Sequence, residues 1–194
     1  MIVKTINIGP LQVNNYLVIC ENTKQAVLID AGGDFETTKH IIDENNASLV
    51  YVLNTHGHFD HTAGNYDLQK KLGAKILIHK NDEFFIKTLK EQLLLYDMPV
   101  FEPSVIDEYV EDNQEINVGS LNFKVIHTPG HSSGSVCFLI DNILFSGDTL
   151  FCDSVGRTDL PGGSYKEIEK SIKEKIFSLD ENIIVYPGHG PATT

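Results

Sequence analysis

Short β-branched runs broken by turn residues dominate the N-terminal third of the chain. Ile2–Ile8, Tyr16–Cys20 and Ala26–Asp30 predict three strands, separated at Gly9-Pro10 and around Asn22. The period then changes. Asp34 is placed to cap a helix whose apolar positions Phe35, Ile41 and Ile42 share one face, and Leu49–Leu53 returns to strand. Helix over Thr62–Leu72, strand over Lys75–His79 and one or two helices over Asn81–Tyr96 follow, after which Pro99 and Pro103 mark an extended connection. Beyond it the order repeats. Strands are predicted at Glu115–Val118, Leu121–His127, Ser135–Ile140 and Ile143–Ser146, then a helix from Ser164 and a last strand at Asn182–Tyr186. Ser164 and Glu167 have capping-box spacing. With no low-complexity stretch or charge run between the halves, residues 1–194 read as one domain of two similar strand-rich halves covered by helices.

Composition narrows the class. A hydrophobic fraction of 41% and a charged fraction of 22% fit a soluble globule, and no apolar run reaches the length of a membrane helix. The segment Met1–Cys20 lacks the apolar block of a signal peptide, so a cytoplasmic location without membrane partners is expected. A formal charge of −12 repels phosphate backbones and argues against nucleic acid. Cys20, Cys137 and Cys152 have no metal or disulfide spacing and read as reduced thiols.

The chemistry lies in the histidines. Of 8 in the chain, five stand just after predicted strands in glycine-containing turns: Thr55-His56-Gly57-His58 with Asp60-His61 behind it, Thr128-Pro129-Gly130-His131, and Tyr186-Pro187-Gly188-His189. Such turns on neighbouring strands converge on one rim. In an extended stretch His56 and His58 point to the same side and can grip one ion, while Asp60 and His61 lie further round the turn. Asp148, in Ser146-Gly147-Asp148, also ends a strand, and its two oxygens can bridge two cations. The ligands divide into His56, His58 and His131 for one ion and Asp60, His61 and His189 for the other, with Asp148 shared. Imidazole and carboxylate ligands suit two divalent ions, zinc first, with iron or manganese as alternatives. Two such ions about 3.5–4 Å apart would hold a bridging water of pKa about 7, a source of hydroxide at neutral pH.

The HxHxDH run at 56–61, His131, Asp148 and His189 together resemble the metallo-β-lactamase superfamily over nearly the whole chain. Gly147-Asp148-Thr149-Leu150-Phe151 with Gly156-Arg157-Thr158-Asp159 resembles its glyoxalase II branch, the hydroxyacylglutathione hydrolases, and especially their short single-domain relatives. The resemblance implies an α/β fold, a four-layer αββα sandwich with the metals at one edge. It also implies hydrolysis of a small-molecule thioester, an S-acylglutathione or related thiol ester, by a metal-bridging hydroxide that Asp60 and Asp148 orient. Zinc β-lactamases generally lack a bridge equivalent to Asp148, which argues against antibiotic hydrolysis. The alternative on the same scaffold is a persulfide dioxygenase with a single iron on His56, His131 and Asp148. Full-length glyoxalase II adds a helical, glutathione-holding region that has no counterpart here, and the chain stops five residues after His189, where relatives run on into a further helix, so a truncated C-terminus is one expectation.

Arg157, the sole arginine, is expected beside the substrate channel, holding an anionic group or paired with Asp153 or Asp159. His40 reads as solvated, His79 as structural, and His127 as orienting a ligand from behind rather than binding metal. Cys152 reads as an ordinary loop residue and Tyr165 as packing or reaching the channel.

Overall fold

In the computed structural model, which describes residues 1–194, period-two alternation sends the two faces of each strand into different cores. The strands are β1 Ile2–Ile8, β2 Val13–Ile19, β3 Gln25–Ile29, β4 Ser48–Leu53, β5 Lys75–His79, β6 Glu108–Val110, β7 Glu115–Val118, β8 Leu121–His127, β9 Val136–Ile140, β10 Ile143–Gly147 and β11 Ile184–Pro187. The helices are α1 Phe35–Glu44, α2 Phe59–Thr62, α3 Asn65–Leu72, α4 Glu83–Lys87, α5 Leu89–Leu95 and α6 Tyr165–Ser171. One sheet has the order β1-β2-β3-β4-β5-β6 and the other β11-β10-β9-β8-β7. Val18, Val27, Ile29 and Leu53 from the first meet Phe123, Phe138 and Phe145 from the second in the largest core. The opposite face of the first sheet, with Leu17, Leu28 and Ile76, packs on Ile42 of α1 and Leu68 of α3. The outer face of the second, with Ile126, Cys137 and Leu144, takes Ile168 of α6 and Ile172 and Ile176 of the π turn that extends it. This is the expected four-layer αββα sandwich.

Three local expectations change. The helix expected over Thr62–Leu72 is α3, Asn65–Leu72, and a separate one-turn helix, α2, precedes it and takes in Asp60 and His61, expected in the turn; the chain breaks between them at Ala63-Gly64 to let the Gly64 amide donate to the Ala31 carbonyl at 2.9 Å. A Cβ on Gly64 would lie 3.0 Å from the Gly33 nitrogen, so the two backbones approach closely there. The connection after Pro103 ends in β6, which pairs parallel to β5 through Leu77↔Glu108 to His79↔Val110. Ser164 caps α6 by accepting from the Glu167 amide at 3.3 Å, but its own amide donates to the Gly130 carbonyl at 2.8 Å instead of to Glu167, so the capping box is half formed. No helix is long and apolar enough to cross a membrane.

Candidate metal centre

The turns after β4, β8, β10 and β11 open onto one rim, and they bring the seven sequence-picked side chains together. His56, His58 and His131 form one group whose ligand atoms lie within 4.8 Å of one another, Asp60, His61 and His189 form a second, and His56, His61 and Asp148 form a third between them. Asp148 is central. Its Oδ1 lies 3.4 Å from His61 Nε2, and its Oδ2 lies 3.5 Å from His131 Nε2 and 3.8 Å from His189 Nε2. Gly188 makes this approach possible, because a Cβ there would collide with Asp148 Oδ1 and stand 2.7 Å from His61 Cε1.

Hydrogen bonds behind the rings fix which nitrogen faces the centre. A carbonyl only accepts, so His131 donates from Nδ1 to Arg157 O at 2.8 Å and His189 donates from Nδ1 to Leu11 O at 3.0 Å, leaving both Nε2 lone pairs inward. His61 donates from Nδ1 to Asp30 Oδ2 at 2.8 Å. The same oxygen accepts the Thr55 hydroxyl at 2.8 Å, so Thr55 Oγ1 in turn accepts from His56 Nδ1 at 3.1 Å. One buried carboxylate therefore orients two imidazoles. His58 faces the other way, with Nδ1 2.9 Å from His131 Nε2.

The donor set fits a metal. His56 Nε2, His61 Nε2 and Asp148 Oδ1 are buried with no hydrogen-bond partner. Buried polar atoms left unpaired cost about 1–3 kcal/mol each, so several converging on one point mark a place for an ion. The separation of His58 Nδ1 from His131 Nε2 is near the ~3.3 Å that two ligands of a tetrahedral zinc would show. The local field agrees. Burial alone would push His61 down, yet Asp60, Asp148 and Asp30 hold it up to about 10, a field that would equally hold a cation. Burial would raise Asp60, but His61 and His189 keep it well below the usual carboxylate range. His58 falls to about 3 and His56 well below its ordinary value, burial being the first cause in both and the neighbouring imidazoles the second. Neutral imidazoles are the form that binds metal.

Arg157 forks onto Asp159, from Nε to Oδ1 at 2.7 Å and from Nη2 to Oδ2 at 2.8 Å, and also lines the cavity over the centre. Asp153 is not its partner. His79 and His127 stand apart from the site and stack on each other with centroids 4.1 Å apart. Tyr165 is exposed and does not line the cavity, and Cys152 is exposed.

Sequence reasoning missed Asp30 and Asp82. Asp30 ends β3 before Ala31-Gly32-Gly33, the same strand-then-glycine signal that marked the histidine turns, so it was within reach. Replacing it by asparagine sets an amide N–H either at Oδ2, against both His61 Nδ1 and the Thr55 hydroxyl, or at Oδ1, against the Thr55 backbone N–H that it accepts at 2.8 Å. The Asp30→Asn variant is expected to lose about 10–100-fold in zinc affinity, measured by competition with a chromophoric chelator; an unaltered affinity would show that Asp30 does not set the rings.

A model of the metallo-beta-lactamase superfamily matches residues 8–189. The hydroxyacylglutathione hydrolase GloC of Haemophilus influenzae is 34% identical over 184 residues, covering 93% of this chain and 87% of its own. Among solved structures, the BLEG-1 B3 metallo-beta-lactamase superposes with a TM-score of 0.91 at 34% identity, over 99% of this chain and 93% of its own. ETHE1 from Myxococcus xanthus superposes with a TM-score of 0.85 at 28% identity, over 100% of this chain and 79% of its own. Relatives with three different names share one scaffold, so substrate must be argued from the site.

Proposed function

The chain belongs to the metallo-β-lactamase superfamily, and from that premise we propose that it is a two-metal hydrolase of thiol esters, like the glyoxalase II branch. The observation that carries this reading is the shared carboxylate: Asp148 stands between His56, His58 and His131 on one side and Asp60, His61 and His189 on the other, at the floor of an open cavity of about 640 Å³. Those seven residues would hold two divalent ions, zinc first, which when bound supply hydroxide at neutral pH and polarise a carbonyl oxygen. The chain's own residues do the rest. Asp60, held ionised by His61 and His189, offers Oδ2 as an acceptor that orients the attacking water. Asp148 keeps the two histidine groups in register, and Asp30 holds the His61 and His56 rings in the binding tautomer. No serine or cysteine lines the cavity, so the chain itself offers no thiol or serine nucleophile there.

The likeness to GloC supports the thioester reading. A second reading, oxidation of a persulfide on one iron held by His56, His131 and Asp148, draws on the convergence of those residues and on the likeness to ETHE1. One experiment separates them. Metal content of the purified protein is measured, then release of thiol from thioesters, oxygen uptake with glutathione persulfide, and opening of a chromogenic β-lactam. Two zinc ions per chain with thiol release, lost to a chelator and restored by zinc, is expected. One iron with oxygen uptake would establish the second reading, and β-lactam opening without thiol release would overturn both.

A further inference from the structure

The wall of the cavity away from the histidines is more apolar than the protein's own packing requires. Leu89 and Leu93 of α5 point inward, where they pack with Phe59, Met98 and Phe101. Further along, Leu95 at the end of α5 and Tyr96 just beyond it are 79% and 46% exposed, and Phe84 of α4 is 63% exposed. These three line the cavity together with Phe85, Leu11 and Leu160. Large apolar side chains left open to water in one concave patch beside a reactive centre mark a surface that a ligand covers.

The charges at the mouth point the same way. Arg157 is the one lysine or arginine lining the cavity, and Asp159 cancels its charge. Glu91 on α5 lines the same wall with no ion-pair partner, on a chain of net charge −12. The ligand-facing balance away from the metal ligands is therefore acidic, and a glutathione carrier, whose two carboxylates outweigh its one ammonium, meets no net attraction there. The positive charge of bound ions would lie at the histidine end, where the scissile carbonyl must sit.

Taking the thioester reading as its basis, we propose that the substrate is a thioester with a sizeable apolar acyl group on an uncharged thiol carrier, rather than a small hydroxyacyl group on glutathione. The acyl chain lies against Phe84, Leu95 and Tyr96. The chemistry is ordinary hydrolysis: the C–S bond breaks, a C–O bond forms from water, and a proton from that water ends on the thiolate, giving an acid and a thiol.

Binding and turnover test it independently on the zinc-loaded protein. Calorimetry with inert thioethers should show S-hexylglutathione at least about ten-fold tighter than S-methylglutathione. The hexyl thioether of N-acetylcysteamine should bind at least as tightly as S-hexylglutathione. The double variant Leu95→Ser/Tyr96→Ser should weaken the hexyl compounds about five-fold or more and leave the methyl compound unchanged. In turnover, hexanoyl-N-acetylcysteamine should exceed S-lactoylglutathione in kcat/KM by about ten-fold or more. Equal affinity for hexyl and methyl ligands with S-lactoylglutathione preferred overturns the proposal and leaves thioester hydrolysis standing. A retained hexyl preference without turnover of any thioester removes the thioesterase reading but keeps the apolar ligand.

Discussion

Asp148→Ala, on the proposed two-metal thioesterase reading, is expected to lower thioester turnover by about 10³-fold or more, equivalent to ~4 kcal/mol of barrier, and to drop metal content from two ions per chain towards one. The reason is geometric. Asp148 alone presents oxygens to both histidine groups, Oδ1 at 3.4 Å from His61 Nε2 and Oδ2 at 3.5 Å from His131 Nε2, so its loss uncouples the groups as well as removing a ligand. The side chain is held by its place between Gly188 and the rings rather than by core packing, so the fold should survive and unfolding should still be cooperative. Asp148→Asn is the sharper control. It preserves shape but removes the negative charge and turns one oxygen into an N–H that cannot ligate a cation and would hydrogen-bond to the imidazole lone pair a cation needs, so it should behave nearly as badly as alanine. Metal analysis and steady-state kinetics on the two variants check this. Full turnover with two ions retained would show that the carboxylate is not shared.

The seven side chains that converge on this rim were legible because each follows a strand, in a glycine-containing turn or, for Asp60 and His61, in the helical turn α2 just after it, where a dense histidine run has no core-packing explanation. Periodicity placed most strands for the same reason: β3, with Val27 and Ile29 to one face and Ala26 and Leu28 to the other, writes its two cores into consecutive letters. What failed was set by distant partners. The break at Ala63-Gly64 exists because Ala31 and Gly33 arrive from the end of β3. Strand β6 is three residues long in an acidic stretch, with only Val110 buried, so no alternation is visible. The expected helix over Asn81–Tyr96 gives no sign of which face of Leu93-Leu94-Leu95-Tyr96 is covered, and only the fold shows that Leu93 is buried while Leu95 and Tyr96 face the cavity. Arg157 was placed beside the channel, but its pairing with Asp159 over Asp153 depends on a loop path that local sequence does not encode.

Asp82 is the residue least visible beforehand, since Lys80-Asn81-Asp82-Glu83 looks like a solvated turn, and its removal should have the largest effect on stability. It is 0% exposed. Its Oδ2 accepts from the Gly57 amide at 2.8 Å and the Ser132 hydroxyl at 2.6 Å, and its Oδ1 accepts from the Gly134 amide at 2.7 Å. Standing just after β5, it thus clips the His56–His58 turn of one sheet to the His131 turn of the other. Asp82→Ala leaves two buried amides without acceptors at about 1–3 kcal/mol each, while Ser132 keeps a partner in Ser135, so a loss of about 3–5 kcal/mol is expected in denaturant unfolding. Asparagine cannot rescue it, because its amide nitrogen must face the Gly57 or the Gly134 N–H. Burial outweighs these donors and sets the carboxyl above its usual range. The folded state therefore binds the proton more tightly than the unfolded one, so the proton-linked part of this group's contribution is full below the ordinary aspartate pKa and is lost as pH rises through the raised value, while the acceptor bonds to Gly57, Gly134 and Ser132 persist in the ionised form. The variant should lack that part of the pH slope while being less stable throughout. Weaker zinc binding at the His56, His58 and His131 group should accompany the lost stability, because the two turns that carry it are no longer tied; unchanged stability would mean the clip is met by other donors.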